Sequence, residues 1–514
     1  MDKIQNLFFL KNKIVYVLSI FLWISCSSPI EKKQITLFKT HCASCHILPN
    51  IDDLPKEIWD SKILPDMAAR MGIKDGNYSP LKGFSYKEME AIMASNIYAN
   101  RPYMNKEDWL LLKNYIIGLA PDSLTTSNYK NTSSELKQFK ATPRSIDSTN
   151  GTLITYLHYD KKDKKLWLGD LQGNLLSYDF FKNRTKHLQK FESAIVDYTK
   201  KRERSYATAV GDLNPSEIAS GKIIITEGDS LIPVSQVLHR PVNNLVFDLN
   251  KDGNDELVIS EFGNLTGELS LLIKDANQGY KKRTLLHQPG TIRVIAKDMN
   301  NDGKQDLVAL TSQGDETITI LYQQENLEFR NDKVLRFQPV YGLSWFVLID
   351  YDGDGDQDII TVNGDNADKS YVQKPYHGMR IHLNDGNNKF SEKYFYPLNG
   401  ATRVVANDFD QDGDIDFGLI STFPDYANKP EFSFVYLENT NKDKFIFEPF
   451  TFKDSNLGRW FLLDTGDIDN DGDDDIILSS FTYVFTPVPN DLTKLWKEKN
   501  VDIMLLENTL RTSK

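Results

Sequence analysis

A nine-residue acidic pattern, repeated five times, constrains the fold of this 514-residue chain more than any other feature of its sequence. Each copy reads acid-x-acid/Asn-x-Asp-Gly-x-x-acid and precedes an apolar run, as in Leu257-Val258-Ile259, that is typical of a buried β-strand. Consecutive copies begin 50, 52, 58 and 59 residues apart, which suits one four-stranded blade with variable loops. The repeat therefore predicts a β-propeller.

The acidic residues of each copy are spaced to bind a cation. Carboxylates at alternate positions of a tight turn converge on one hard ion, the glycine permits the bend, and the ninth residue closes the shell. Without a cation the acids would repel one another at close range, so we predict one structural Ca²⁺ ion in each of the five loops. The predicted ligands are Asp248, Asn250, Asp252, Glu256, Asp298, Asn300, Asp302, Asp306, Asp350, Asp352, Asp354, Asp358, Asp408, Asp410, Asp412, Asp416, Asp467, Asp469, Asp471 and Asp475.

An EF-hand begins in the same way, but it needs a glutamate at its twelfth position and a helix on either side. The twelfth residues here are Ile259, Ala309, Thr361, Leu419 and Leu478, so this alternative fails. The units between residues 243 and 508 instead resemble the FG-GAP, or VCBS, repeats of integrin-α-like propellers.

Two weaker units precede the five acidic ones. The segment Leu166–Asp170 is typical of a blade without a metal loop, and Asp212-Leu213-Asn214 is interpreted as the start of a degenerate acidic copy. The two weaker units and the five acidic ones together predict an all-β seven-bladed propeller over residues 149–510.

The segment Cys42-Ala43-Ser44-Cys45-His46 is the attachment pattern of a covalent c-type haem. Its two thiols would add to the haem vinyl groups from one side of a helical turn, and His46 would be the proximal iron ligand. The alternatives are a redox dithiol and half of a zinc site. A zinc site needs a second cysteine pair and a thioredoxin-like dithiol needs a βαβ context, and the sequence shows neither.

Predicted helices lie on both sides of this motif. A short helix over residues 35–40 enters it, and a longer one over 106–120 carries an apolar face and ends at Pro121. This arrangement resembles small class I cytochromes c. The resemblance implies a small all-α cytochrome c domain over residues 35–121.

A methionine is the sixth iron ligand that this resemblance implies. We favour Met67, because the stretch from Trp59 to Gly72 resembles haem modules attached to calcium-repeat propellers. Met104, just before the last helix, is the alternative. Met89 and Met93 fall on one face of a further helix and are predicted to belong to the core.

The N-terminus is typical of an export signal over residues 1–25, in which three lysines precede an apolar run over 14–24. That run is too short to span a bilayer. The small and polar residues around Cys26 resemble a bacterial lipoprotein cleavage site, which predicts lipidation of Cys26 and a tether over 26–34. The alternative is an ordinary signal peptide with an incidental cysteine.

Residues 122–148 are polar and without periodicity, as in a linker. After Asn508 the chain is too short to add another strand to the last blade, and an unpaired edge would invite aggregation. We therefore predict that residues 133–147 pair with the strand ending near Leu506, with Leu136 and Phe139 facing that strand.

Charge and composition restrict the function. The chain has a net charge of −12, and its sequence contains no basic stripe that would balance the acids. Both observations argue against nucleic acid as a partner. Together the motifs predict an exported periplasmic or outer-membrane lipoprotein that transfers electrons through its haem. Its calcium-stabilised propeller would be a platform for binding or docking.

The predicted partners are a redox protein, the membrane through the lipid anchor, and a polysaccharide or cell-surface protein on the propeller. The alternatives are a propeller-cytochrome dehydrogenase resembling quinoproteins, and a polymer-binding surface protein. The sequence shows no serine-histidine-acid set that would favour an enzyme.

Overall fold

The computed structural model describes residues 28–125, 135–147, 153–234, 236–275, 279–366, 370–484 and 486–511. A small helical region comes first, and a seven-bladed β-propeller follows it. This confirms the predicted fold class at the level of a helical region followed by seven blades. The predicted lipidation residue, Cys26, lies outside the described residues, as does the predicted export signal.

The helices are α1 (Pro29–Cys42), α2 (Lys56–Ile58), α3 (Leu64–Arg70), α4 (Tyr86–Ala94) and α5 (Lys106–Leu119), and a π-helical turn (Trp59–Ile63) joins α2 to α3. Helix α1 begins early because the Ser28 side chain accepts a hydrogen bond from the Glu31 amide at 3.1 Å and Pro29 is compatible with the first turn. The expected tether is therefore already helical from residue 29.

The helical region has a core of its own. Phe38 of α1, Trp59 of the π-helical turn and Trp109 of α5 are buried in one cluster. The predicted core position of Met93 is wrong, because its side chain is 57% exposed and Ile92 is the buried residue of α4. Within the described residues, no helix combines the length and the apolar character that crossing a membrane requires.

Each blade of the propeller is a four-stranded antiparallel sheet. The first strand in the chain is β1 (Phe139–Arg144). Blade 1 contains β2 (Ile154–Asp160), β3 (Lys165–Asp170), β4 (Asn174–Asp179) and β5 (Arg184–Lys190), and blade 2 contains β6 (Ile195–Lys201), β7 (Arg204–Ala209), β8 (Lys222–Glu227) and β9 (Ser230–Pro233). Blade 3 contains β10 (Pro241–Phe247), β11 (Glu256–Glu261), β12 (Glu268–Lys274) and β13 (Tyr280–Leu286), and blade 4 contains β14 (Thr291–Lys297), β15 (Asp306–Thr311), β16 (Thr317–Gln323) and β17 (Phe329–Arg336). Blade 5 contains β18 (Leu343–Ile349), β19 (Asp358–Asn363), β20 (Gly378–Asn384) and β21 (Phe390–Pro397), and blade 6 contains β22 (Ala401–Asn407), β23 (Asp416–Ser421), β24 (Phe434–Asn441) and β25 (Ile446–Phe450).

Blade 7 combines the two ends of the propeller sequence. It contains β26 (Trp460–Gly466), β27 (Asp475–Ser480) and β28 (Ile503–Asn508), and β1 is its outer strand. Strand β1 pairs antiparallel with β28, with Phe139 opposite Asn508 and Ala141 opposite Leu506. This is the pairing that the sequence predicts for residues 133–147. Phe139 is buried against the rings of Phe409 and Tyr436, at 5.8 and 5.2 Å, so β1 also contacts blade 6.

The first strands of neighbouring blades contact one another all the way around the ring, so they line its central channel. Side chains on these strands bind the backbone of the next blade. The Asp464 carboxylate accepts from the Tyr159 amide at 2.7 Å, and the Asp197 carboxylate accepts from the Asn244 amide at 2.6 Å. These bonds hold blade 7 to blade 1 and blade 2 to blade 3.

The helical region contacts the propeller at blade 5. The Tyr376 hydroxyl donates to the Asp53 carbonyl at 2.7 Å, and the Asn50 amide donates to the Gln338 side chain at 3.1 Å. Tyr376 lies between the second and third strands of its blade. We call the propeller face that carries these connections the docking face. The acidic loops join first to second strands and so lie on the opposite face.

Two features of the docking face differ from the sequence-based predictions. Asp212 lies between β7 and β8, so Asp212-Leu213-Asn214 is not a degenerate acidic loop, which would lie between β6 and β7. Helix α6 (Asn490–Lys499) lies between β27 and β28 and was not anticipated. Its Trp496 packs edge-on against Tyr426 of blade 6 at 5.5 Å.

Candidate functional site

The five acidic loops share one backbone conformation. In each loop the sixth residue is a glycine with positive φ, as in Gly253 (φ 89°) and Gly472 (φ 100°). The fourth residue also has positive φ: it is Lys251, Asn301, Gly353, Gln411 or Asn470. Two left-handed residues close together produce the tight winding that aims the alternate side chains inward.

The first carboxylate of each loop binds the loop backbone. Asp248 accepts hydrogen bonds from the amides of Asp252 and Gly253, at 3.1 and 3.0 Å. Asp350 accepts in the same way from Gly353 and Gly355, at 2.8 and 3.0 Å. The loops are therefore shaped by their own polar groups, and the remaining carboxylate oxygens are available to a ligand.

Three loops bring three carboxylates together, with one ligand atom from each lying within 4.8 Å of the others. The sets are Asp350, Asp352, Asp358; Asp408, Asp410, Asp412; and Asp467, Asp469, Asp471. Such a set of oxygen ligands suits a hard cation such as Ca²⁺. The other two loops have Asn250 and Asn300 at the third position, and these amides donate to Asp252 and Asp302 at 2.9 and 3.2 Å.

The ninth residue of each loop is predicted to be a cation ligand, but the structure also gives it a role in holding the blade together. It is the first residue of the second strand and is buried in all five blades. One oxygen of Asp416 accepts from the Phe409 amide at 3.2 Å, and the other accepts from the Asn439 amide at 2.7 Å. Asp475 binds Ile468 and Asn508 in the same way, at 2.8 and 2.7 Å. Asp306 and Asp358 accept from the third-strand amides of Gln323 and Asn384, so in blades 4 to 7 the ninth residue ties its loop to the end of the third strand.

Burial makes these ninth carboxylates costly to ionise. It raises the pKa of Glu256 to about 7 and that of Asp358 to about 6, despite hydrogen bonds from backbone amides. It likewise raises the pKa of Asp416 and Asp475 to about 7, and the other acids of each loop add to the shift. A bound cation would offset this cost.

Neighbouring loops are also connected to one another. Lys251 donates to the carbonyl of Gly303 in the next loop at 2.9 Å, and Gln411 donates to the carbonyl of Gly472 at 3.1 Å. Lys164 of blade 1 bonds Asn470 of blade 7. Side chains at or near the fourth loop position thus connect loops along this face.

The Cys42–His46 segment lies at the end of α1. Cys42 is the last residue of the helix and packs against the core of the helical region, whereas Cys45 lies in the following bend and is exposed. Only the first of the two cysteines is therefore helical. Burial raises the pKa of the Cys42 thiol to about 12. His46 bonds the Ile47 carbonyl through Nδ1 at 2.7 Å, which leaves Nε2 as the nitrogen able to bind a metal.

Met104, the alternative sixth ligand, lies near the C-terminal end of α3 together with Met71. The Met71 carbonyl accepts from the Tyr103 amide at 3.0 Å, so the segment before Met104 lies beside α3. Gly72 permits this approach, because a Cβ atom there would lie 2.6 Å from the Arg101 carbonyl oxygen and its φ is 70°. Met71 and Met104 pack against the same cluster as Cys42. Met67 is one helical turn before Met71 and is partly buried.

A cavity of about 450 Å³ lies on the docking face, among the connections of blades 5, 6 and 7. Its lining is mixed and includes Gln373, Asp425 and Tyr426, together with Pro489 next to α6. Sequence reasoning did not find this cavity. Its residues come from four irregular connections that share no motif.

The strand pairing and loop geometry agree with the comparison to known families. Residues 298–361 match the FG-GAP-like repeat. The match begins at the first residue of the blade 4 acidic loop and extends into the second strand of blade 5. The chain therefore contains an FG-GAP-like repeat within a seven-bladed β-propeller.

Solved structures with similarity to this chain include two WD40 propellers. The Neurospora crassa Pan2 WD40 domain is 11% identical with a TM-score of 0.42, over 73% of this chain and 96% of that chain. The WD40 β-propeller domain of Doa1 is 12% identical with a TM-score of 0.33, over 51% and 74%. Among curated proteins, none is significantly similar to the chain.

Proposed function

We propose that this protein is an exported, lipid-anchored electron carrier in which Cys42, Cys45 and His46 hold a covalent c-type haem. The observation that carries the proposal is the local setting of the attachment pattern. Cys42 packs in an apolar cluster with two methionines, and the His46 ring is oriented by its Nδ1 bond to a backbone carbonyl. A c-type haem with methionine ligation needs these three features: an apolar surround, a fixed imidazole and a thioether within reach.

A buried polar atom adds support for a polar group in this cluster. The indole nitrogen of Trp109 is buried and has no hydrogen-bond partner among the described residues. A haem carries carboxylates that could accept this bond, so the residues present fit the group. When bound, the haem iron would supply one-electron transfer. The chain's own part is to exclude water from the iron and to hold the imidazole in one orientation.

Met67 remains the proposed sixth ligand, and Met104 remains its alternative. The packing of Met104 with Cys42 supports the alternative, whereas the sequence context supports Met67. Either thioether would raise the reduction potential relative to a second histidine.

The propeller is proposed to be a calcium-stabilised platform for a redox partner, a polysaccharide or a cell-surface protein. The three carboxylate sets support occupied loops in blades 5, 6 and 7. The shared left-handed residues extend the proposal to blades 3 and 4. Lipidation of Cys26 is proposed from its sequence context.

The docking-face cavity favours a second candidate function, a dehydrogenase that passes electrons from a small substrate to the haem. The cavity and the helical region lie on the same face, and both involve the connection of blade 5 that contains Gln373 and Tyr376. Anaerobic mixing with sugars, alcohols and reduced quinones distinguishes the two functions, because only a dehydrogenase would have its haem reduced by a small substrate.

The haem proposal is tested by producing the full chain in a host that has cytochrome c maturation machinery. We expect the haem to survive acid-acetone extraction, and the doubly substituted Cys42→Ser/Cys45→Ser protein to lack it. Met67→Ala should keep the haem and lose the spectral signature of methionine ligation. Met93→Ala, on exposed α4, is the control and should keep both. Loss of haem from the unsubstituted protein on extraction would overturn the proposal, and loss of the signature only in Met104→Ala would transfer the ligand role to Met104.

A further inference from the structure

The inner strands of all seven blades share an irregularity near the docking face. In each of them the strand register shifts between the first and third residues. The third residues form a ring around the channel: Tyr156, Asp197, Asn243, Arg293, Trp345, Arg403 and Leu462. Blades 4, 5 and 6 contribute Arg293, Trp345 and Arg403 to this ring, and we call these three residues the channel cluster.

Trp345 lies between two arginines of the neighbouring blades. The guanidinium carbon of Arg293 is 4.2 Å from the centre of the indole, and that of Arg403 is 4.3 Å from it. A tryptophan ring attracts cations through its face and restrains the planar guanidinium. The two positive charges are thus held close together although they repel each other.

Neither arginine of the channel cluster forms an ion pair with a described residue. Arg293 donates to the Phe346 carbonyl at 2.8 Å, and Arg403 donates to the carbonyls of Ser344 and Thr402 at 3.3 and 2.8 Å. The Nε atom of Arg403 is buried and has no partner among the described residues. Each guanidinium has five N–H donors, so donors remain on both.

Acidic side chains also act on both of these charges, and Asp365 is the acid that acts on Arg403. Arg293 experiences the charges of Arg403, Asp464 and Asp197, which belong to blades that do not adjoin blade 4, so these groups face one another across the axis. However, Asp197 already accepts from the side chain of Asn243 and from a backbone amide. Asp464 likewise accepts from the Tyr159 amide and from His158. Burial lowers the pKa of Arg293 and Arg403 to about 10, which leaves both charged at pH 7.

We propose that the channel cluster binds a small oxyanion, a carboxylate or a tetrahedral sulfate- or phosphate-type group, at the docking-face end of the central channel. Two guanidiniums with free donors offer the planar, charge-assisted hydrogen bonds that such groups accept. The site is a place where this otherwise acidic protein would attract an anion. It requires neither the haem nor the calcium loops.

The proposal is tested by calorimetric titration of the full, calcium-loaded chain with sodium sulfate and, separately, with sodium succinate. We expect saturable binding of at least one of them, and the arm that binds identifies a tetrahedral or a carboxylate ligand. Arg293→Gln and Arg403→Gln should each weaken binding about tenfold or more, because each removes a charged donor. Arg330→Gln is the matched control, since Arg330 also stacks on a ring, Tyr322 at 4.4 Å, but lies on outer strand β17.

Two further variants keep the test decisive if a glutamine variant fails to fold. Arg403→Lys preserves the charge and should retain weaker, salt-sensitive binding. Trp345→Phe preserves a ring for stacking and should remove the anion-induced change in tryptophan fluorescence. Absence of saturable binding by the unsubstituted protein would overturn the proposal. So would folded glutamine variants that bind as tightly as the Arg330→Gln control, because the channel cluster would then only fill the channel.

Discussion

Blades 1 and 2 and blades 3 to 7 have the same four strands but join the first two of them differently. In blades 1 and 2 the connection is a short turn that contains a left-handed residue, Lys164 (φ 49°) or Arg202 (φ 54°). In blades 3 to 7 the acidic loop takes its place. A four-stranded blade therefore forms without an acidic loop. The presence of the loop in blades 3 to 7 must have a reason other than strand pairing.

The residue that begins the second strand shows what the loop adds. It is a buried acid in blades 3 to 7, but it is Lys165 in blade 1 and Arg204 in blade 2. Arg204 pairs with Glu227 on the third strand at 3.1 Å, with both side chains partly in solvent. The basic residue of blade 2 makes a surface ion pair, whereas the buried acids of blades 4 to 7 attach a whole loop to the third strand. The proposed cations would therefore stabilise blades 3 to 7 and not blades 1 and 2.

Removal of calcium should have the largest effect on stability. It should destabilise blades 3 to 7 more than blades 1 and 2. A ligand present at a hundred times its Kd stabilises the folded state by about 2.7 kcal/mol for each site. With several sites emptied by EGTA, we expect the melting temperature to fall by on the order of ten degrees. Hydrogen exchange should accelerate first at the amides of Asn384, Asn439 and Asn508, which bind ninth-position acids. An equal loss of protection in blades 1 and 2 would contradict the comparison.

Two substitutions in blade 6 should distinguish the structural role of the ninth residue from the binding of a cation. Asp416→Ala leaves the amides of Phe409 and Asn439 without their acceptor, which should cost about 3 to 5 kcal/mol. Because these bonds do not involve the cation, urea titration should show this loss in EGTA as well as in calcium. Asp412→Ala should destabilise the protein mainly in calcium, since it removes a candidate ligand.

The matched control for this pair is the corresponding position of blade 2. Arg204→Ala removes a partly exposed ion pair and should cost less than about 1 kcal/mol in either condition. If Asp416→Ala is harmless in EGTA, the ninth residue acts only through the cation.

The architecture of blades 3 to 7 was predictable because each one carries the same local signal. The glycine at the sixth loop position and the alternate acids are visible in the sequence. Strand β1 was also predictable, because an unpaired edge on β28 would be unfavourable and residues 133–147 were the unassigned segment of suitable length. These inferences rest on local chemistry and on counting strands.

The remaining features depend on contacts that are distant in sequence. The structural role of Asp416 depends on Asn439, and that of Arg403 depends on Trp345 in another blade. Asp212 was misinterpreted because three residues resemble an acidic loop even when they lie on the opposite face. Helix α6 is short, and the contact between its Trp496 and Tyr426 exists only in the folded chain.

Apart from the controls, the smallest expected effect concerns a buried acid outside the loops, Glu316 in blade 4. Its carboxylate accepts from the amides of Gly342 and Leu343 in the connection to blade 5 and its first strand, at 3.0 and 2.8 Å. Burial nevertheless raises its pKa from 4.5 to about 8. The folded protein therefore binds this proton more tightly than the unfolded chain does. The free energy of unfolding should fall as the pH rises from about 4.5 to about 8.

Urea titrations between pH 5 and 8 check this dependence. One pKa unit corresponds to about 1.4 kcal/mol, so we expect Glu316 to contribute on the order of 3 kcal/mol across the window. Glu316→Gln should reduce the slope by this contribution, and Glu325→Gln, an exposed acid of the same blade, should leave it unchanged. Because Glu316 lies on the docking face, its contribution should be the same in calcium and in EGTA. A contribution that disappears in EGTA would mean that the two faces are coupled, and the loops would then stabilise more than their own blades.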